Sequence, residues 1–201
     1  MSTISYIKAR GPVDDEEEAD RDAYTTPPWL TKAIGPVWLD VCTNKFSTVQ
    51  ATIGFRLDRG QDALVLAKHV PKNPPGIVWC NPPYSRGLVI QFVRAFRHTR
   101  FAFLVRHDVS TEWFRELYAA TSLLCTPWRR VNFVPPPGFT GAVSHNNPFP
   151  HSILYRNADD ATDAIHRLCA VFTPTRRPSD VPAPPTRRST INPLRRRKTT
   201  P

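Results

Sequence analysis

Apolar residues come along this chain in short continuous blocks separated by stretches of helical spacing. Val37-Trp38-Leu39-Asp40-Val41, Ile77-Val78-Trp79-Cys80, Phe101 to Val105 and Ser122 to Thr126 are blocks of the kind expected for strands buried on both faces. Between them the period changes. Leu88, Val89, Phe92, Val93 and Phe96 share one face of a helix predicted from about Arg86 to His98, with Gln91, Arg94 and Arg97 elsewhere. Trp113, Phe114, Leu117 and Tyr118 share a face of a second helix, capped by Ser110 or Thr111. Trp29, Leu30, Ala33 and Ile34 predict a short first helix that Gly35-Pro36 ends, with Thr26 as its N-cap and Pro27 at its first position. Ala63 to Ala67 reads as a further strand, Asn132-Phe133-Val134 as a candidate strand and His151 to Arg156 as a late one. Val49 to Phe55 fits a helical turn or a strand. Ala161, Ile165, Leu168 and Phe172 predict one face of a final helix.

Short apolar strands alternating with helices imply βαβ units, hence an α/β fold with a mostly parallel sheet flanked by helices. Such sheets bind ligands outside the carboxyl ends of their strands. Asp40 and Asn81 stand at two such ends, which places them in one crevice.

Composition and charge add boundaries and a partner. The chain of 201 residues is 40% hydrophobic and carries a net charge of +10. Residues 1–22 hold three basic and seven acidic groups and too few apolar ones to pack, which predicts a flexible acidic arm. Residues 173–201 hold eight basic groups and one acidic, amid many prolines, which predicts a disordered basic tail. Residues 23–172 remain as one domain, itself basic. A basic domain with a basic tail points to a polyanionic partner, nucleic acid first. No run approaches the roughly 18–20 apolar residues of a membrane helix, and the acidic run Asp14 to Glu18 stands where a signal peptide needs an apolar core. A cytoplasmic protein without membrane contact is expected. Cys42, Cys80, Cys125 and Cys169 form no CxxC pair and no His cluster completes a zinc set, so reduced thiols and no metal site are expected.

The chemistry centres on Asn81-Pro82-Pro83-Tyr84. Two prolines hold the backbone extended just past a buried strand. They leave an amide, carbonyls and a ring positioned to hold a planar molecule with an exocyclic amino group. This segment resembles motif IV of amino-methyltransferases. More widely, Thr26-Pro27-Pro28-Trp29, Leu39-Asp40-Val41-Cys42, Asp62-Ala63-Leu64, Val78-Trp79-Cys80-Asn81-Pro82-Pro83-Tyr84 and Pro148-Phe149-Pro150 occur in the order seen in phage-type Dam-like DNA N-6-adenine methyltransferases. The likeness covers about residues 24–157.

That resemblance implies a Rossmann-like, S-adenosylmethionine-dependent fold and methyl transfer to adenine N6 in DNA, the base being flipped out of the duplex. It also implies roles. Asn81 and the Pro82 carbonyl would accept hydrogen bonds from the target amino group, Pro83 would stiffen the turn, and Tyr84 would stack on the base. Thr26 and Pro27 would wall the cofactor pocket. Asp40, with the backbone of Val41 and Cys42, would hold the methionine end of S-adenosylmethionine, and Asp62 its adenine or ribose. The turn Cys42-Thr43-Asn44-Lys45 lacks the glycines common after the first strand of cofactor-binding methyltransferases, as it often does in the phage-type family.

DNA contacts are expected after the site, from Arg106, His107, Trp128, Arg129, Arg130 and the loop 135–150. Trp128 beside two arginines suits stacking with phosphate contact; the alternative is a core tryptophan with surface arginines. His107 and Asp108 lead into the next helix. Other functions consistent with the same residues are a non-catalytic nucleic-acid-binding protein on this fold, or methylation of RNA or of cytosine N4. Within the family, a role in restriction-modification and the protection of phage DNA is expected, in a bacterial or phage-infected cell.

Overall fold

The computed structural model describes residues 24–56, 59–84, 87–139 and 147–174. The expected arm at 1–22, nearly all of the expected tail and part of the loop 135–150 therefore lie outside the described residues. Five strands run the same way: β1 (Val37–Thr43), β2 (Ala51–Arg56), β3 (Val78–Cys80), β4 (Phe101–Arg106) and β5 (Leu123–Pro127). β6 (His151–Tyr155) and β7 (Cys169–Phe172) run against them. The sheet order is β2-β1-β3-β4-β6-β5-β7.

Helices cover both faces. On one side α1 (Pro28–Ile34) shares a core with Trp79, Ala102 and Ile153. On the other, α2 (Ala63–Leu66), α3 (Leu88–Phe96) and α4 (Glu112–Ala119) pack with Val78, Cys80, Phe101 and Phe103. The last helix, α5 (Asp163–Leu168), joins α1 on the first side. Alternate side chains of each central strand feed the two layers, which is why those strands read as continuous apolar runs. The predicted face of α3 is the buried one: Leu88, Val89, Phe92, Val93 and Phe96. Arg94 and Arg97 on its outer side pair with Glu116 of α4, and Arg94 also reaches Glu112.

The chain passes from β1 to β2 on one side, then crosses back to lay β3 on the other side of β1. The carboxyl ends of β1 and β3 therefore border a switch point, where connections leave in opposite directions and a crevice opens.

Three expectations are corrected. Ala63 to Ala67 is not a strand. Asp62 accepts from the backbone N–H groups of Leu64 and Val65, and that cap turns the segment into α2 and a following 3₁₀ turn. The final helix stops at Leu168, and Cys169–Phe172 becomes β7, paired antiparallel with β5; its Val171 and Phe172 suit a sheet edge. Thr26 does not cap α1: Pro27 holds the cap position with no side-chain bond, and Pro28 opens the helix. Two segments that the pattern leaves open are also settled. Val49 to Phe55 enters β2, which starts at Ala51. Asn132-Phe133-Val134 makes only a single bridge, Thr25 to Val134, closed by two backbone hydrogen bonds of 2.8 and 2.9 Å.

One glycine has a steric duty beside the switch point. A Cβ on Gly54 of β2 would lie 2.7 Å from Thr43 Cγ2 across the β1–β2 pair, inside van der Waals contact. Gly54→Ala is expected to destabilise the fold by about 1–3 kcal/mol through overpacking. Thr43→Ser, which removes that methyl, is expected to restore most of the loss in the double variant. Urea denaturation of the two single variants and the double variant checks this; additive losses would contradict it.

Candidate active site

Asp40 lies within β1, 3% exposed. Its Oδ1 accepts from Cys42 N–H at 3.1 Å and its Oδ2 from the Ser47 hydroxyl at 3.3 Å. The Thr43 side chain adds a further bond. Burial outweighs these bonds and pushes its carboxyl up to about 6. Among the described residues no cation stands close enough to oppose that shift.

The glycine-free turn after β1 is built by an asparagine. Asn44 Oδ1 accepts from Phe46 N–H at 2.8 Å, and the Asn44 carbonyl accepts from Ser47 N–H at 3.2 Å. An Asx turn of this kind replaces the backbone freedom of glycine with a side-chain bond. It also brings Ser47 back onto Asp40.

Asn81 follows β3 directly. Its Nδ2 donates to Thr26 Oγ1 at 3.4 Å, which leaves Oδ1 as the accepting end of the amide. Thr26 is buried and held from two sides: the Thr25–Val134 bridge fixes the residue before it, and Thr48 Oγ1 donates to its carbonyl at 3.3 Å. A hydroxyl expected to cap a helix is thus turned towards the asparagine.

Thr26, Asp40, Cys42 and Asn81 line one open cleft with an enclosed volume of about 20 Å³, together with Tyr24, Asn44, Ser47 and Trp79. The sequence pattern missed the last four. Asn44 and Ser47 carry signals as turn-forming residues, and Trp79 and Tyr24 carry none beyond being aromatic. The enclosed part of the cleft is far smaller than the roughly 300–1,000 Å³ that hold a whole small ligand, with room for about one water. Pro27 and Pro82 are buried beside it, Pro83 is half-buried, and Val41 turns into the core. Asp62 is not among the lining residues. It caps α2 just beyond β2, where Gln61 ties the chain to Arg56.

Tyr84 sits across the turn from this cleft. Its hydroxyl accepts from Arg106 N–H at 2.5 Å, and its ring meets Trp113 edge-on. Burial raises its phenol well above the usual value, so it stays protonated. The Arg106 guanidinium lies over the Tyr84 ring, 4.4 Å from its centroid. Trp128, Arg129 and Arg130 follow β5, at the same edge of the sheet. Trp128 is 74% exposed, so it is no core residue, and Arg129 stacks on Trp29 of α1 at 3.8 Å. His107 shares a 2.7 Å bond with Ser152, which also meets Thr126 at 2.8 Å, a polar chain joining the end of β4 to β6 and β5. Among the described residues no group of three or more His, Cys, Asp or Glu is placed to hold a metal ion, and no helix is long and apolar enough to cross a membrane.

His151 pairs with Arg106 in the β4–β6 register and is buried. Burial first, then Arg106 and Arg130, hold its imidazole down at about 4, against a carbonyl bond from Phe149. Asp40 and His151 consequently act on stability over one pH range with opposite signs. Asp40 binds its proton more tightly in the folded chain, so its contribution worsens as pH rises from about 4 to 6. His151 binds its proton less tightly when folded, so its contribution improves as pH rises from about 4 to 6.5. Relative to wild type, Asp40→Asn is expected to gain roughly 2 kcal/mol of stability between pH 4 and pH 7, and His151→Gln to lose a similar amount. Chemical denaturation across that range checks both; differences that stay flat with pH would contradict the burial of these groups.

No curated protein and no solved structure matches the chain. The profile of one family, described as DNA N-6-adenine-methyltransferase (Dam), matches residues 14–165, which take in the crevice, Asn81 to Tyr84 and the sheet as far as β6. The chain belongs to the DNA N-6-adenine-methyltransferase (Dam) family.

Proposed function

We propose that this chain transfers a methyl group from S-adenosylmethionine to the N6 amino group of adenine in DNA, with the target base flipped out of the duplex. The observation that carries the proposal is the shared crevice. Asp40 and Asn81, from the two strands that border the switch point, line one cleft.

The residues fit the methyl donor by their chemistry. A buried carboxylate without a cation beside it gains from a ligand ammonium, and S-adenosylmethionine carries one at its methionine end. Asp40 would hold that end, with Cys42, Asn44 and Ser47 shaping the wall around it. The nucleoside end would extend past β2 towards Asp62, and Thr26 and Pro27 would close the opposite side. When bound, the donor supplies an activated methyl group.

The target side is set by Asn81 to Tyr84. An aromatic amine is a poor nucleophile because its lone pair is conjugated with the ring. Asn81 Oδ1 and the Pro82 carbonyl would accept hydrogen bonds from its two N–H groups and draw the nitrogen towards tetrahedral geometry; the one proton released when the N–C bond forms passes to solvent. Holding that nitrogen in line with the methyl group converts a bimolecular encounter into an oriented one. Thr26 acts as a positioning residue: by accepting from Nδ2 it selects which end of the Asn81 amide faces the base. The Pro82-Pro83 backbone keeps the carbonyl fixed during the approach. Tyr84 offers its ring for stacking. The basic edge formed by Arg106, Trp128, Arg129 and Arg130 would track the phosphates and fill the gap left in the duplex.

Methyl transfer to unmethylated DNA, read by nucleoside analysis, tests this. N6-methyladenine is the expected product. Asn81→Ala is expected to lower kcat by about a hundredfold. Thr26→Val is expected to lower it by about tenfold or less, because only the orienting bond is lost. Label in cytosine or RNA would overturn the adenine assignment. Transfer unaffected by Asn81→Ala would overturn the mechanism. Failure to bind S-adenosylmethionine would favour a non-catalytic binding protein.

A further inference from the structure

Arg106 ends β4, and its guanidinium is held by two aromatic rings. Its Cζ lies 4.4 Å from the centroid of Tyr84 and 4.1 Å from that of Phe149. The guanidinium is the planar group that joins the two rings. Among the described residues no carboxylate pairs with it. Neither ring is free to collapse if the guanidinium leaves. Tyr84 is tethered through its hydroxyl to the backbone N–H of Arg106, a bond independent of the arginine side chain. Phe149 stands between two prolines. Its N–H donates to Asn147 Oδ1, the Pro150 carbonyl accepts from His107 N–H, and its own carbonyl meets His151 Nδ1. Phe149 is 44% exposed, which leaves an entrance. Beside Tyr84 and Arg106 a second cleft of about 230 Å³ opens towards Val89, Ile90, Asp108 and Trp113.

We infer that the Arg106 guanidinium occupies, until DNA arrives, the slot beside Tyr84 and Phe149 that the target base takes. A guanidinium is planar and stacks on rings as a base does, but it binds phosphate in a bidentate fork. The flipped base displaces it, and the displaced cation moves to a phosphate of the same strand. One residue thus fills the slot in the free protein and contributes charge in the complex. The inference rests on the assignment of Asn81 to Tyr84 to the target base.

Equilibrium binding at low salt tests it, with a hexamer of deoxyadenylate and an abasic hexamer carrying the same phosphates as probes. The ratio of the two affinities isolates what the bases add to the phosphate contacts. Arg106→Lys keeps the charge but removes the planar competitor, so the ratio should rise about threefold or more while affinity for the abasic strand is retained. Arg106→Ala should raise the ratio as well, and weaken the abasic strand because a phosphate contact is lost. Phe149→Ala should bring the ratio down, by about tenfold in the Arg106→Lys background, and Phe149→Tyr should preserve it. A ratio unchanged or lowered in both Arg106 variants would overturn the inference, as would a ratio indifferent to Phe149→Ala. The readout is separable from catalysis. A chain that shows these shifts but transfers no methyl keeps the slot and loses the proposed reaction; an active chain without the shifts keeps the reaction and loses the slot.

Discussion

The carboxylate of Asp40 is held out of water near the carboxyl end of β1 with hydrogen bonds but no opposing charge among the described residues. Burying a carboxyl in this way costs stability unless something compensates. The surroundings are arranged to keep it there. β1 lies between β2 and β3, so Asp40 is flanked by backbone on both sides. Asn44 folds the following turn back so that Ser47 reaches it, and Gly54 lets β2 lie close against Thr43. A feature that weakens the free protein and is nonetheless built with several supports is best understood through a cationic ligand that offsets it.

The second half of the crevice follows from the same topology. Because β3 returns to the opposite side of β1, the residue after β3 opens next to Asp40 rather than far from it. Asn81 falls at that point, and Thr26 fixes its amide. The segment carrying Thr26 is in turn pinned by a two-bond bridge to Val134, after β5. A loop distant in sequence is thus bonded to the residue next to the one that holds a candidate catalytic amide.

Much of this was legible from the pattern of residues. Continuous apolar blocks identified β1, β3, β4 and β5, and the helical period of α3 and α4 gave their buried faces, because burial on a flat or cylindrical surface imposes those periods directly. Asp40 and Asn81 could be placed in one crevice from strand ends alone. Where the pattern failed, a local bond decided. Asp62 converted an apolar block into α2 by capping it, and four apolar residues after Leu168 joined a sheet edge although Phe172 continued the helical spacing. The Asx turn at Asn44 rests on a local side-chain bond, and the Thr26–Asn81 bond and the meeting of Arg106 with Tyr84 and Phe149 join side chains far apart in sequence. Periodicity carries no information about such encounters. Pro148-Phe149-Pro150 did carry a trace, since an aromatic ring between two prolines is held stiffly wherever it points.

The central claim is that Asp40 is a buried carboxylate waiting for the cationic end of the methyl donor. Carbon-detected NMR titration of the Asp40 carboxyl, in the free protein and with S-adenosylmethionine, measures it most directly. A midpoint near 6 in the free protein, falling below the ordinary aspartate range of about 4 when the donor binds, is the predicted result. An ordinary midpoint in the free protein, or one that the donor leaves unmoved, would contradict the account.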